Sequence, residues 1–206
     1  MLRVVISATA PDPDSIAQAV EVLHDGGVVA YPTDTLYGLA VDPRREDAIE
    51  RLFALKGRDR GAAIPLIAAD LEQAGAAGRL GPREMRLAAA FWPGPLAVVV
   101  PAQSAVSRSA LTDGTVAIRV PAHPVARALA AAFGFPVTAT SANRSGLPPA
   151  ASADRVAETL GDVAILLDGG PSAGGSPSTI VRLTGDGPVL VRAGAVAWDR
   201  VLRSLQ

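Results

Sequence analysis

Three cations stand within five residues of one another at Lys56, Arg58 and Arg60, with Gly57 between the first two. A glycine lets the backbone turn at that point. An ammonium acts as a compact point charge and a guanidinium as a planar fork, and together they suit the oxygens of a polyphosphate. Cations at a helix end also complement the helix dipole, so a solvated helix terminus is an equal alternative.

Lys56 is the one lysine of the chain, although lysine and arginine together number 19. A sequence that uses arginine at every other basic position, but keeps lysine here, suggests a need for a compact and strongly hydrated ammonium. The alternative is chance, because a single lysine must fall somewhere.

A second polar segment, residues 140–146 with the sequence TSANRSG, directly follows an apolar run. Open α/β sheets commonly bind ligands where their strands end. The hydroxyl of Ser141, the amide of Asn143 and exposed backbone N–H groups can hydrogen-bond a phosphate or a ribose without adding charge. Taken alone, such a segment is more often an ordinary turn.

The residue types also exclude several chemistries. The chain contains no cysteine, which rules out disulfides, thiolate nucleophiles and zinc held by sulfur. His24 and His123 have no metal-ligand partner near them in the sequence, so we expect both to be structural or exposed. Neither a Walker A pattern nor a dinucleotide GxGxxG pattern occurs. No Ser-His-Asp order or pair of carboxylates stands out, which argues against hydrolase chemistry.

Charge and hydropathy limit the class of protein further. The net charge of −1 gives no electrostatic footprint of a dedicated nucleic-acid binder. The first ten residues carry an apolar run too short for a signal segment or a membrane span, so no membrane partner is expected. Together with the absence of cysteine, this predicts a soluble protein of the reducing cytoplasm.

Apolar periodicity predicts the elements that would position these residues. With 206 residues, 49% of them hydrophobic, the chain can bury one core, and we predict a single domain over residues 1–206. Asp12 followed by Pro13 predicts the start of the first helix. Helices are predicted at 13–25, 45–55, 82–91, 124–133, 153–160 and 198–205. Strands are predicted at 3–7, 28–31, 64–68, 96–100, 116–120, 137–140, 164–167, 179–183 and 189–191.

Short strands mixed with helices predict an α/β fold with a twisted mixed sheet and flanking helices. Some consecutive strands have no helix between them, which favours a mixed sheet over a purely parallel one. Residues 32–38 are predicted to form a loop or bend at a strand end. Residues 167–178, rich in Gly, Ser and Pro, are predicted to form a long functional loop.

Eight segments, taken in this order, resemble the YrdC family of threonylcarbamoyl-AMP synthases: GGVVAYPTDTLYGLAVD, LKGR, FWPGPL, VAIRVPAHP, TATSANRSG, LDGG, PSTIV and VRAGA. The match runs from about Gly26 to Ala195. Each segment is modest alone, but eight collinear segments are specific. Lys56 lies on the KxR motif of the family, and Ser141 with Asn143 lies on its SxN motif.

The resemblance implies a YrdC-like fold and a reaction in which L-threonine, bicarbonate and ATP, with Mg²⁺, give threonylcarbamoyl-adenylate and pyrophosphate. The product would serve the threonylcarbamoyl modification of adenosine in tRNA. The chain resembles the single-domain form, which delivers its labile product to a separate transferase complex. Such a reaction depends on positioning and charge stabilisation and requires no covalent nucleophile. The resemblance leaves open whether the chain binds tRNA itself.

The resemblance also assigns roles by matched position. Lys56 and Arg58 would be the catalytic residues that hold the ATP phosphates. The ATP site would comprise Lys56, Arg58, Thr115, Ser141, Asn143 and Arg192. The threonine site would comprise Thr35, Arg119, Ala139 and Ser178. Arg119 would pair with the threonine carboxylate, and Ala139 would line the pocket through its backbone.

The chain departs from the family pattern at several positions. Asp59 follows Arg58 where the family usually has proline, and Ala62 begins a region where an asparagine or lysine is usual. Many members have a glutamate where Pro177 stands, and some have a histidine near Ile67. We therefore expect one nucleotide contact to be missing or replaced, with Arg60 as a candidate, and the details of threonine recognition to differ.

Two other functions compete with this interpretation. A concave basic surface of this type would suit an RNA-binding maturation factor for tRNA or double-stranded RNA. The near-neutral charge and the 4% content of aromatic residues give that alternative little support. The other alternative is a carbamoyl-adenylate-forming module that acts without threonine.

Overall fold

The structure is a computed structural model that describes residues 1–57, 64–172 and 174–206. The strands, numbered in chain order, are β1 Leu2–Val5, β2 Val29–Tyr31, β3 Gly38–Ala40, β4 Leu66–Ile67, β5 Leu96–Pro101, β6 Thr115–Arg119, β7 Val137–Thr138, β8 Thr140–Ser141, β9 Ile165–Asp168, β10 Thr179–Thr184 and β11 Gly187–Arg192. The α-helices are α1 Pro13–His24, α2 Glu46–Lys56, α3 Leu71–Ala77, α4 Pro82–Phe91, α5 Pro124–Phe133, α6 Ala153–Thr159 and α7 Trp198–Ser204. A short 3₁₀ helix spans Arg108–Ala110.

The described strands form two sheets. The first has the order β1-β9-β2-β3-β8, and the second has the order β11-β10-β5-β6-β4-β7. Both sheets are mixed, because β1 and β2 run parallel to β9 while β2 and β3 are antiparallel, and β10 runs parallel to β5 while β5 and β6 are antiparallel. The predicted α/β class with mixed strands and flanking helices is confirmed, and its strands divide between two sheets.

The division occurs within the predicted strand 137–140. In β7, Leu66 of β4 pairs with Thr138, whereas in β8, Leu39 of β3 pairs with Thr140. Ala139 lies between the two strands, and its N–H donates to the carbonyl of Pro65 at 2.7 Å. The chain therefore passes from one sheet to the other at Ala139, which places this residue where the sheets meet.

The helix boundaries follow from local capping. The Asp12 side chain accepts a hydrogen bond from the Ser15 N–H at 2.8 Å, as the predicted start of α1 requires. The bounds of α4 and α5 are as predicted, and α5 ends at Gly134, whose φ of 76° is left-handed. The prediction missed the short helix α3, which Asp70 caps through the Gln73 N–H at 2.8 Å.

The main hydrophobic core joins both sheets, with Leu39 and Leu166 from the first and Val98 and Ile118 from the second. The alternate residues of β5, β6 and β10 face away from this core and form a small separate cluster of Ala97, Val99, Ala117 and Ile180. One face of the second sheet is thus left available for a site. No helix within the described parts of the chain has the length and apolar character needed to cross a membrane.

The described part of the predicted loop 167–178 is fixed at its start. The Tyr37 hydroxyl donates to the Gly170 carbonyl at 2.7 Å, and the Arg3 guanidinium pairs with the Asp168 carboxylate at 2.7 Å. The Gly170 N–H also donates to the Asp168 side chain at 3.0 Å. These contacts hold the beginning of the loop beside residues 32–38.

Candidate functional site

A cavity of about 590 Å³ lies over the free face of the second sheet. Thr33 and residues 35–38 form one wall, and residues 139–141, where the chain passes between the sheets, form another. Pro177 and Ser178, at the end of the long loop, complete the lining beside the start of β10. The predicted bend at 32–38, the polar segment that begins at Thr140 and the end of the predicted functional loop 167–178 therefore meet around one space.

Arg119 carries the best-defined charge in this cavity. It ends β6 with only 5% of its surface exposed, and its Nη1 donates to the Asp34 Oδ1 at 2.7 Å. Its Nη2 lies 3.4 Å from the Thr33 hydroxyl. The second oxygen of Asp34, Oδ2, is buried and has no hydrogen-bond partner among the described residues. Asp34 thus balances the charge of Arg119 and fixes its guanidinium, which leaves its remaining donors for a ligand.

The wall at Thr35 is held by a local hydroxyl network. The Thr33 hydroxyl donates to the Leu36 carbonyl at 2.7 Å and accepts from the Thr35 N–H at 3.1 Å. The Thr35 hydroxyl lies 3.1 Å from the Thr33 hydroxyl. Such a turn, built on a threonine side chain, presents Thr35 toward the cavity on a well-defined backbone.

Arg192 stands across the cavity, at the end of β11. Its Nε and Nη2 donate to the Ser178 carbonyl at 3.0 and 2.7 Å, and Nη2 also donates to the Ser178 hydroxyl at 2.9 Å. Burial lowers the pKa of the Arg192 guanidinium below its usual value, and the positive charge of Arg119 lowers it further. An anion bound beside Arg192 would oppose both effects, because it favours the charged form of the guanidinium.

Lys56 organises the loop that follows β8. Its ammonium donates to the carbonyls of Ser141 and Asn143, the latter at 2.9 Å, and lies 3.3 Å from the Asn143 side-chain oxygen. The Ser141 hydroxyl also donates to that side-chain oxygen. The Asn143 amide donates to the Leu147 carbonyl at 2.7 Å, and the Ser145 N–H donates to the Lys56 carbonyl at 2.8 Å. Lys56 is only 4% exposed and lies behind the cavity wall.

Thr115 is positioned by a tight turn at the start of β6. Asp113 and Gly114 take left-handed φ values of 50° and 69°, and Thr112 pairs with Thr115 across them. The Thr115 hydroxyl donates to the Thr112 carbonyl at 2.8 Å. Both threonines line the far end of the cavity.

The structure brings most of the predicted site residues together. All the predicted threonine-site residues line the cavity, namely Thr35, Arg119, Ala139 and Ser178. The predicted ATP-site residues Thr115, Ser141 and Arg192 line it as well. Lys56 and Asn143 support the wall through Ser141 and do not line it.

The remaining predictions fall elsewhere. Arg58 lies outside the described residues, as do the departures at Asp59 and Ala62 and the candidate replacement Arg60. Of the other departures, Pro177 lines the cavity, whereas Ile67 is fully buried in β4 and pairs with Arg119 across the ladder.

Sequence reasoning did not identify Asp34, Thr112 and Arg182. Arg182 lines the cavity on β10, four residues after Ser178. Side chains alternate between the faces of a strand, so Ser178, Ile180 and Arg182 share one face. The predicted strand 179–183 contained this signal, because a cation at a position of even spacing from a site residue points toward the same side.

The electrostatic character of the cavity is positive. Its charged lining residues are Arg119, Arg182 and Arg192, and no aspartate or glutamate of the described chain lines it. Hydroxyls of threonine and serine supply most of the other polar groups. This combination, at the meeting point of two sheets, defines a site for an anionic ligand with several hydrogen-bonding groups.

The reaction that the family resemblance implies uses Mg²⁺, which needs oxygen ligands. No cluster of three His, Cys, Asp or Glu side chains occurs within the described residues. Mg²⁺ typically keeps several waters and binds through substrate phosphates with few protein ligands. The donor set fits an ion that would be carried by a triphosphate, and the oxygens of Ser141 and Asn143 are the neutral protein groups that would be available to it.

The fold and the site define the class of this protein as an α/β protein with an arginine-lined cavity at the place where two mixed sheets meet. The family model named Sua5, YciO and YrdC, described as telomere recombination, matches residues 21–194. The chain belongs to this family, and the expected resemblance is confirmed.

Two relatives, at 38% and 42% identity, carry the same name. A Bacillus subtilis protein named threonylcarbamoyl-AMP synthase is 38% identical over 194 residues, which cover 92% of this chain and 56% of that protein. A protein of the same name from Chromohalobacter salexigens is 42% identical over 170 residues, covering 81% of this chain and 91% of that protein. The chain therefore spans little more than half the length of the first relative and nearly all the length of the second.

A solved structure agrees with the fold. The crystal structure of P. abyssi Sua5 complexed with L-threonine superposes with a TM-score of 0.91 at 34% identity. The superposition covers 99% of this chain and 61% of that one. The two-sheet architecture described above is thus the architecture of that protein's matching part.

Proposed function

We propose that the chain is a threonylcarbamoyl-AMP synthase, a nucleotidyltransferase that uses L-threonine, bicarbonate and ATP to prepare the threonylcarbamoyl modification of adenosine in tRNA. The observation that carries the proposal is the cavity in which Arg119, Arg182 and Arg192 converge without a lining carboxylate. The names of the relatives and the threonine bound by the P. abyssi protein support it.

The proposed reaction has two steps. The amine of threonine and bicarbonate give a carbamate and water, and a carbamate oxygen then attacks the α-phosphorus of ATP. The bond between the α-phosphorus and the oxygen bridging to the β-phosphorus breaks, and pyrophosphate leaves. Every reactant is anionic or carries a carboxylate, so an electropositive cavity lowers the repulsion between reactants that must meet.

The proposed roles follow from the positions of the side chains. Arg119, held by Asp34 at 2.7 Å, pairs with the carboxylate of threonine, while Thr35 and Ser178 hydrogen-bond its other groups. Ala139 lines the threonine pocket through its backbone, at the place where the two sheets meet and next to the reacting groups. Because Arg119 is fixed before the substrate arrives, little ordering is needed when threonine binds.

The nucleotide occupies the rest of the cavity in this proposal. Ser141 presents its hydroxyl to the phosphates, and Arg192 and Thr115 line the path toward the far end. Lys56 and Asn143 hold the Ser141 loop in place, and Lys56 with Arg58 provides positive charge on the phosphate side. Magnesium, when bound with ATP, would neutralise charge on the phosphate oxygens. We also propose that the protein acts in the cytoplasm and that a separate transferase complex receives its product.

The proposal is tested by incubating the purified protein with ATP, magnesium, bicarbonate and labelled L-threonine, followed by prompt detection of threonylcarbamoyl-adenylate and pyrophosphate. The expected result is product only when every component is present. Product without threonine would instead support a carbamoyl-adenylate-forming module. A protein that forms no adenylate but binds tRNA or double-stranded RNA, more weakly as salt rises, would support the RNA-binding alternative.

A further inference from the structure

The free face of the second sheet carries a flat apolar floor. Val99 pairs with Ala117 across β5 and β6, and Ile180 pairs with Ala97 across β10 and β5. These four residues form a cluster separate from the main core, and Val99, Ala117 and Ile180 line the cavity. No side chain in this floor is aromatic or long, so it leaves room for a flat apolar group above it.

Arg182 stands at the rim of this floor and has few partners. It pairs with Val99 in the ladder, and its Nη2 lies 3.5 Å from the Thr115 hydroxyl, at the limit of a hydrogen bond. Its Nε is buried without a hydrogen-bond partner among the described residues. Arg119 and Arg192, in contrast, are held by Asp34 and Ser178. Arg182 therefore has buried donor capacity that the described protein groups do not use.

The position of Arg182 separates it from the expected phosphate groups. Strand β10 is four strand spacings from β7 in the second sheet, or about 19 Å along the sheet. The chain passes from β7 through Ala139 to Ser141, the residue whose loop Lys56 supports. Ser141 and Arg182 therefore belong to different parts of the cavity lining, and a nucleotide whose phosphates lie beside Ser141 would direct its base toward Arg182.

We propose that Arg182 binds the base of the nucleotide, with the floor of Val99, Ala117 and Ile180 packing against the flat face of the ring. A guanidinium carries donors and no acceptor, so it suits the ring nitrogens of a purine, which accept hydrogen bonds. Apolar contact with the ring face and donation to its edge together recognise a purine base. This inference rests on the proposed function and adds a determinant of nucleotide choice to it.

The test compares wild-type protein with Arg182→Gln and measures the KM for ATP and the inhibition by inorganic tripolyphosphate, which has phosphates but no base. We expect the KM for ATP to rise by about tenfold, because one hydrogen bond from a charged group is lost. Inhibition by tripolyphosphate should be unchanged. Arg155→Gln, which removes an exposed arginine paired with Glu158, is the matched control and should behave as wild type.

A second variant tests the floor independently. Ala117→Phe fills the space above the sheet and should weaken ATP binding strongly while tripolyphosphate still inhibits.

Unchanged KM for ATP in Arg182→Gln, or an equal loss of ATP and tripolyphosphate affinity, would overturn the base-binding role. A wild-type protein that forms threonylcarbamoyl-uridylate from UTP as well as it forms threonylcarbamoyl-adenylate from ATP would also overturn it. Failure of the wild type to bind ATP would instead remove the proposed function itself.

Discussion

The loop at Ser141 and the arginine-bearing face of the second sheet differ in how their polar groups find partners. In the loop, the Lys56 ammonium, the Asn143 amide and the Ser141 hydroxyl hydrogen-bond one another and the backbone. On the sheet face, burial and the positive charge of Arg119 lower the pKa of Arg192, and Arg182 has a buried N–H without a partner among the described residues. The loop is satisfied by its own groups, whereas the sheet face is completed by a ligand.

This difference indicates what each region contributes. A fully satisfied polar network fixes one conformation, because any other arrangement leaves buried groups unpaired. A face with more cations than carboxylates is held in place by the fold and gains its missing partners when an anion binds. Changes in the loop should therefore affect stability and activity together, while changes on the face should affect binding more than folding.

The largest expected effect is that of Lys56→Met in the loop. The change leaves the half-buried carbonyls of Ser141 and Asn143 without their Lys56 donor, which should lower the free energy of unfolding by about 1–3 kcal/mol. Synthesis should be abolished in a protein that still folds. Urea unfolding and the product assay measure the two effects, and Arg86→Met, an exposed cation on α4, is the control. Wild-type turnover in Lys56→Met would contradict the proposed role of Lys56 in synthesis.

The next effect is that of Arg119→Gln on the sheet face. Removal of the guanidinium leaves Asp34 as an unpaired and largely buried carboxylate near the threonine carboxylate. We expect kcat/KM for threonine to fall by about a hundredfold to a thousandfold, since truncating a buried charge pair costs 2–5 kcal/mol. Rates at varied threonine and saturating ATP give this value. An unaltered kcat/KM for threonine would show that its carboxylate binds elsewhere.

Gly194→Ala tests how the end of β11 is held against the start of β10. A Cβ at this position would meet the carbonyl oxygen of Pro177, so the segment after Arg192 must move. We expect a loss of about 1–3 kcal/mol in the free energy of unfolding, as for other overpacked sites, and weaker binding of threonine through Ser178. Gly185→Ala is the matched control, because no atom lies within 4 Å of its Cβ. Equal stability of the two variants would contradict the close packing.

The smallest expected effect is that of Tyr37→Phe, which removes the hydroxyl that donates to Gly170. The loss should be about 1 kcal/mol in the free energy of unfolding at neutral pH. Burial raises the pKa of Tyr37 to about 12, so its contribution should be fully present below about pH 10, the usual pKa of tyrosine, and decline as the pH rises toward 12. Denaturation of both proteins at several pH values measures this, and a difference that declines already below pH 9 would contradict it.

The sequence predicted the elements more completely than the arrangement between them. The helices 82–91 and 124–133 have the predicted bounds because proline at N1 and their apolar periodicity act locally. The strand predicted at 137–140 is two strands in different sheets, since pairing partners distant in sequence decide which sheet each residue joins. Local patterns do not contain that information.

Sequence patterns also identified the residues of the candidate site more completely than their arrangement in space. The family motifs contained the site residues that line the cavity, and they contained Lys56, whose position behind the wall is a tertiary property. Asp34 lies within the YPTDTLYG motif, yet its pairing with Arg119 joins residues that are far apart in the sequence. Arg182 could have been identified from strand alternation with Ser178, but the depth of its guanidinium could not.

The most direct measurement is a crystal structure of the protein with L-threonine and a non-hydrolysable ATP analogue. We expect the threonine carboxylate to contact Arg119 and the base to lie on Val99, Ala117 and Ile180 beside Arg182, with the phosphates toward Ser141. Both ligands must lie in the one cavity over the free face of the second sheet. Threonine or the nucleotide bound elsewhere, with this cavity empty, would show that the proposed site is wrong.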